Sequence, residues 1–129
     1  MLNKYYILYF EDQNGKSFIQ DFIDKCTVRN QAKIMSILSL LEDMGPNLPR
    51  PYSDFLEDGI HELRIKLSGN QIRILYFFCY KNFIILTHFF RKKTDKVPKN
   101  EIIKCKKLRD DFLKRFNENY LKENHHEDF

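Results

Sequence analysis

The sequence predicts an α+β fold: a four-stranded, mainly antiparallel sheet in the order β-α-α-β-β-β-α, with a helical hairpin on one face and a C-terminal helix. Three observations carry this expectation. Between His61 and Phe90 lie three runs of branched and aromatic residues, the first strictly alternating, separated by two short turns. Upstream, apolar residues recur at helical spacing in two stretches so close together that they must pack as a hairpin. Downstream, Pro98 suits the first turn of a last helix.

Residues 4–10 (KYYILYF) form the first strand, and Asn14-Gly15 ends it. Phe18, Ile19, Phe22 and Ile23 give a short amphipathic helix to about Lys25. A second helix, about 28–44, carries Ile34, Ile37, Leu38 and Leu41 on one side. Gly45-Pro46 stops it, because glycine accepts left-handed backbone and proline blocks continuation. Residues 47–58, with Pro49 and Pro51, are expected to be a surface loop. His61, Leu63, Ile65 and Leu67 then alternate with Glu62, Arg64 and Lys66, the pattern of a strand with one packed face. Ser68-Gly69-Asn70 is a turn, and strands 72–80 and 83–90 meet in a tight hairpin around Lys81-Asn82. The last helix shows Ile102, Cys105, Leu108 and Phe112 as its apolar stripe. One domain over 1–117 and a polar tail over 118–129 follow, the tail expected to fray. His125 and His126 fall in it and receive no role. With one face of the sheet under the hairpin, the other is expected to be free for function.

Composition narrows the classes. At 129 residues the chain makes one core, and 43% apolar with 31% charged residues is ordinary for a globular protein. Three cysteines, Cys26, Cys79 and Cys105, are odd in number and lack CxxC spacing, which suggests a reducing, cytoplasmic setting and a packing role. Residues 1–10 lack the basic start, long apolar run and small-residue site of a secretory signal, and no stretch has the length of a membrane span. The net charge is +4, but it is unevenly spread. Eight basic residues against Asp95 and Glu101 leave +6 between Arg91 and Lys107, and about −2 elsewhere. Local basic excess beside an aromatic sheet suits a polyanion.

No Gly-rich phosphate loop, nucleophile elbow, HExxH or paired CxxC is present, and the acidic residues lack the grouping of a two-metal site. No metal or other cofactor is expected. What remains is cations placed by strand alternation: Arg64 and Lys66 with Glu62 on one strand, Arg73 on the next, and Lys92 with His88 and Phe90 on the last. Side by side, Arg64, Lys66, Arg73 and Lys92 converge on one patch. RNA brings its own nucleophile, the 2′-OH, so a protein need only accept that proton, stabilise the phosphorane and protonate the leaving 5′-oxygen. Crowded cations hold their protons less tightly, which lets a lysine serve as base, while arginine suits two-pronged phosphate binding. His88 is a candidate acid or base, although a hydrogen-bonded structural histidine explains it as well. Glu62, Phe90, Arg91, Lys93 and Lys96 are expected to border the RNA, Phe90 by stacking on a base. An ion pair with Glu62 is the structural alternative for Arg73. His61 and Tyr76 fall on the opposite, core parity.

Three ordered motifs resemble the RelE/ParE toxins, and within them the HigB-like, phage-type branch. Asp58-Gly59-Ile60-His61-Glu62-Leu63-Arg64 is similar to that branch's first hairpin strand, Gln71-Ile72-Arg73-Ile74-Leu75-Tyr76 to its second, and His88-Phe89-Phe90-Arg91-Lys92-Lys93-Thr94, with Pro98 and Glu101-Ile102, to its third. Two positions depart from the pattern: Phe89 replaces a glycine, adding bulk expected beside the site, and Cys105 replaces a common alanine. The resemblance implies a RelE-like fold and the toxin of a type II toxin–antitoxin system, an endoribonuclease cutting mRNA on the ribosome. It places Arg64, Lys66, Arg73 and Lys92 at the family's basic positions. It also implies a cognate antitoxin, expected to be a helix-turn-helix protein encoded next to the toxin, and no membrane. The rival reading is a ParE-like toxin that inhibits DNA gyrase without cutting RNA, since fold alone does not separate the two.

Overall fold

A computed structural model describes residues 4–124, so His125 and His126 lie outside the described residues. The chain runs β1 (Tyr6–Tyr9), α1 (Phe18–Lys25), α2 (Val28–Met44), a single 3-10 turn (Gly45–Asn47), β2 (Ser53–Glu57), β3 (Ile60–Leu67), β4 (Asn70–Cys79), β5 (Phe83–Arg91), α3 (Lys99–Arg115) and α4 (Glu118–Asn124). The sheet has five strands, ordered β1-β5-β4-β3-β2, with β1 parallel to β5 and the other pairs antiparallel.

The helical hairpin starts where local chemistry places it. Ser17 and Thr27 cap α1 and α2, their hydroxyls accepting from the Gln20 and Asn30 amides. Gly45 ends α2 at φ 54°, ψ −128°, and a Cβ there would run into the Tyr5 ring. The hairpin lays Ile19, Ile23, Ile34, Leu38 and Leu41 on Leu63, Ile65, Ile74, Tyr76, Ile84 and Leu86 of the sheet.

Three expectations need correction. The stretch 47–58 is not all loop: β2 forms within it. Its sequence, Ser-Asp-Phe-Leu-Glu, has little strand propensity, and pairing with β3 in the register Ser53↔Leu63 supplies the order instead. The sheet therefore has five strands, not four. The polar tail begins with α4, which buries Leu121 against Phe10, Phe77 and Phe112. The second face of the sheet is not free: α3 crosses it, packing Ile102 and Cys105 on Ile60, Leu75 and Phe90, and Phe112 on Phe77.

A bulge in β5 sets which side chains share that face. Leu75 pairs with His88 but Tyr76 pairs with Leu86, so Thr87 is the extra residue. The bulge switches the parity of β5, so that Ile84 and Leu86 face the hairpin while His88 and Phe90 face α3. The Thr87 hydroxyl donates to the Leu75 carbonyl at 3.1 Å, filling an acceptor within the irregular pairing.

Candidate functional site

Strand register builds the site toward one end of the sheet face that α3 crosses. Arg64 lies opposite Arg73, and Arg73 opposite Phe90, in one cross-strand row. In the next row Lys66 lies opposite Gln71, and the Lys92 amide donates to the Gln71 carbonyl at 2.8 Å. Alternation from Phe90 carries Lys92 to the same face. The four cations expected to meet therefore occupy two adjacent rows.

Like charges directly opposite repel, and a buried carboxylate holds these two together. Glu62, 2% exposed, takes Arg64 Nε at 3.0 Å on Oε2 and meets Arg73 Nε at 3.2 Å through Oε1. The second contact is an ion pair too bent to count as a hydrogen bond. Arg73, 7% exposed, also donates from Nη1 to the Ile72 carbonyl at 3.2 Å and to Gln71 Oε1 at 3.4 Å. Burial lowers the pKa of its guanidinium, Glu62 opposes this, and arginine stays charged regardless. Arg64 Nη2 further meets Asp54 Oδ2 at 3.2 Å, and Arg50 holds Asp54 at 2.9 Å. Burial raises the Asp54 pKa, but Arg50 and Arg64 outweigh it, and the net shift is downward.

Charges thus alternate from Arg50 through Asp54, Arg64 and Glu62 to Arg73. Lys66 is exposed and Lys92 half-buried, and neither has an ion-pair partner among the described residues. Five cations against two carboxylates leave a positive surface with a fixed guanidinium floor and two unpaired amines. Such a surface can grip a phosphodiester and exchange a proton beside it. Among the described residues no three His, Cys, Asp or Glu side chains are grouped to hold a metal ion.

Residues 21–110 match the sequence pattern of the family described as Phage derived protein Gp49-like (DUF891). The chain belongs to this family. Its members are RelE/HigB-like toxins of toxin–antitoxin systems, a class that implies a cognate antitoxin. A search of curated proteins finds no match to the chain. The matched stretch spans β2 to β5 and most of α1 and α3, and so contains both cation rows of this family member, while β1 and α4 lie outside it.

Several residues expected at the RNA surface stand elsewhere. His88 is 1% exposed, with Nδ1 at 3.0 Å from Thr87 Oγ1 and Nε2 at 3.0 Å from Glu101 Oε1. Burial first, and Lys104 second, lower its pKa to about 4, so it is a neutral tie between β5 and α3. Phe90 has no face to offer a base, because Ile102 and Cys105 cover it. Glu62 is too deep to touch RNA and orients the two arginines instead. Arg91 pairs with Ile72 and so turns toward the hairpin face. Lys93 and Lys96 are exposed on the loop after β5, where Thr94 bonds the Lys96 carbonyl. Phe89 does not crowd the site: it stacks on Phe22 on the opposite face at 4.0 Å between centroids. Arg73 forms the ion pair with Glu62, so it is a buried, partnered residue rather than a loose surface cation. Tyr76 lies in the core beside His61, and burial pushes its hydroxyl up to about 12. Sequence reasoning missed Gln71, which strand parity opposite Lys66 could have found, and Arg50 and Asp54, which only the unexpected β2 brings near.

Proposed function

We propose that this toxin is a metal-independent endoribonuclease acting on mRNA, with the ribosome presenting the strand. The observation that carries the reading is the pairing of Arg64 with Arg73 over the buried Glu62, beside the two unpaired amines of Lys66 and Lys92. Arg73 and Arg64 hold the scissile phosphate and take up the charge that grows on its oxygens. One of the two lysine amines accepts the 2′-OH proton. The 2′-oxygen attacks phosphorus, the bond to the 5′-oxygen breaks, and the leaving oxygen takes a proton from the other lysine's ammonium. The products are a 2′,3′-cyclic phosphate and a free 5′-hydroxyl. With His88 buried and neutral, no histidine is needed in these steps. Modest acid–base equipment fits a reaction whose geometry is set by a larger host.

The test is mRNA cleavage in a translating extract. Lys66→Ala and Lys92→Ala remove exposed or half-exposed amines, so both should fold and cut at least tenfold more slowly. Arg73→Lys should retain the charge yet lose about a hundredfold, the usual cost of one oxyanion donor. Lys104→Ala, out on α3 over the Phe18 ring, should cut as well as the parent. Translation that continues unimpaired while DNA breaks accumulate would overturn the reading in favour of gyrase inhibition.

A further inference from the structure

The sheet has an open edge at β1, and a groove is built around it. In the parallel ladder with β5, Tyr6 donates to the Asn82 carbonyl at 2.8 Å and Phe10 to the Leu86 carbonyl at 2.9 Å. The alternate residues, Ile7 and Tyr9, therefore turn their N–H and C=O groups away from β5. No partner takes them up among the described residues. The opening is bounded at both ends: the Tyr5 amide is taken by the Glu42 carbonyl, and the Glu11 carbonyl by Arg115.

This edge is the floor of a groove of about 730 Å³. One wall is α2, with Met35, Leu38 and Glu42, and the other is the α3–α4 corner, with Phe112, Phe116 and Tyr120. Met35 and Tyr120 are 45% and 48% exposed at the rim. A strand edge that no described residue covers, set between apolar walls, is a template for pairing and a hazard if left open. The ionisable side chains lining it are two acids and two tyrosines, Glu11, Glu42, Tyr9 and Tyr120, with no cation among the described lining residues and Arg115 only at its end. That chemistry rejects a nucleic acid and fits an extended polypeptide with apolar residues and a basic end.

We propose that the antitoxin docks here, laying an extended segment of about four residues along β1 as a sixth strand. The proposal rests on the toxin–antitoxin reading, which supplies a protein partner. β1 and α4 lie outside the stretch 21–110 shared with the family pattern, while the α2 wall of the groove lies inside it. The groove is also separate from the cation rows, since β1 pairs with residues 83–86 of β5 and the rows lie near 90–92. A partner seated in it need not touch Arg73 or Lys92.

Amide hydrogen exchange of this chain, alone and mixed with the protein encoded by the adjacent reading frame, tests it. In the chain alone, Tyr6, Leu8 and Phe10 should exchange slowly, and Ile7 and Tyr9 fast. On mixing, Ile7 and Tyr9 should slow at least tenfold. The double variant Met35→Lys/Tyr120→Lys, altered only at the exposed rim, should keep the parent circular dichroism and bind that protein at least tenfold more weakly. Binding with Ile7 and Tyr9 still fast overturns the docking site and leaves the toxin reading intact. No binding at all removes the antitoxin reading and this proposal with it. Slow exchange at both amides in the chain alone, increasing with its concentration, assigns the edge to a second copy and overturns the proposal.

Discussion

Two guanidiniums placed directly across from each other, as Arg64 and Arg73 are, would turn apart in water; the buried Glu62 carboxylate keeps both in the patch. The same burial that fixes Arg73 makes it part of the fold, so Arg73→Ala leaves Glu62 with Arg64 alone and costs stability, in addition to the phosphate contact it has in the proposed reading. His88 shows the opposite solution, a titratable group kept neutral. Its pKa falls from 6.5 to about 4 on folding, because burial and Lys104 disfavour the charged ring. The unfolded chain then binds the proton more readily than the folded one. Stability is therefore full above pH 6.5 and is lost as pH falls toward 4, by roughly 2–3 kcal/mol from this group. Urea unfolding at pH 7 and pH 4.5 should show a larger drop for the parent than for His88→Gln, and equal drops would refute the assignment. Strand parity made the shared face of Arg64, Lys66, Arg73 and Lys92 legible in the sequence. The depth of each residue was not, because α3 decides it, and alternation says which way a side chain points but not what lies above it.

At the scale of elements, the hairpin helices and β3 to β5 were legible because their signals are local: caps, a helical stripe, alternation and turns. At Ser68-Gly69, φ of 50° and 84° fits the two-residue hairpin turn that those residue types suggest. β2 was hidden because its order comes from β3 across the sheet. The Thr87 bulge was hidden too, since residues 88–92 alternate correctly among themselves and nothing local marks the shift upstream. Yet the bulge is what carries Lys92 to the face of Arg73 rather than to the face of the hairpin. Thr87→Val keeps the shape and removes the donor to the Leu75 carbonyl. It should cost about 1–3 kcal/mol, the range for a buried group left unsatisfied, and the loss should appear as a lower urea midpoint at unchanged slope. A variant as stable as the parent would mean that the bulge holds without its hydroxyl.

Over the whole molecule, three clusters are tied to one sheet: the hairpin core on one face, and two smaller ones under α3 and α4 on the other. Ending the chain at Asn117 would remove Leu121 from the cluster of Phe10, Phe77 and Phe112 and take away one wall of the β1 groove. The shortened protein should still fold, be less stable by about 1.5–3 kcal/mol, the worth of one buried leucine, and keep its cation rows. Thermal unfolding monitored by circular dichroism measures the loss, and an unchanged midpoint would show that α4 adds nothing. The parallel pairing of β1 has a further effect, on timing. Tyr6 and Tyr9 find their partners at Phe83 and Leu86, in the last strand of the chain to be made. During synthesis the first strand must therefore wait, unpaired, until most of the chain has left the ribosome, and closing so long a loop is slow. A nascent chain interrupted before β5 has neither β1 docked nor Lys92 in place. In the proposed ribonuclease reading such a fragment lacks part of its cation rows and cuts no RNA, so activity comes only as the last strand arrives.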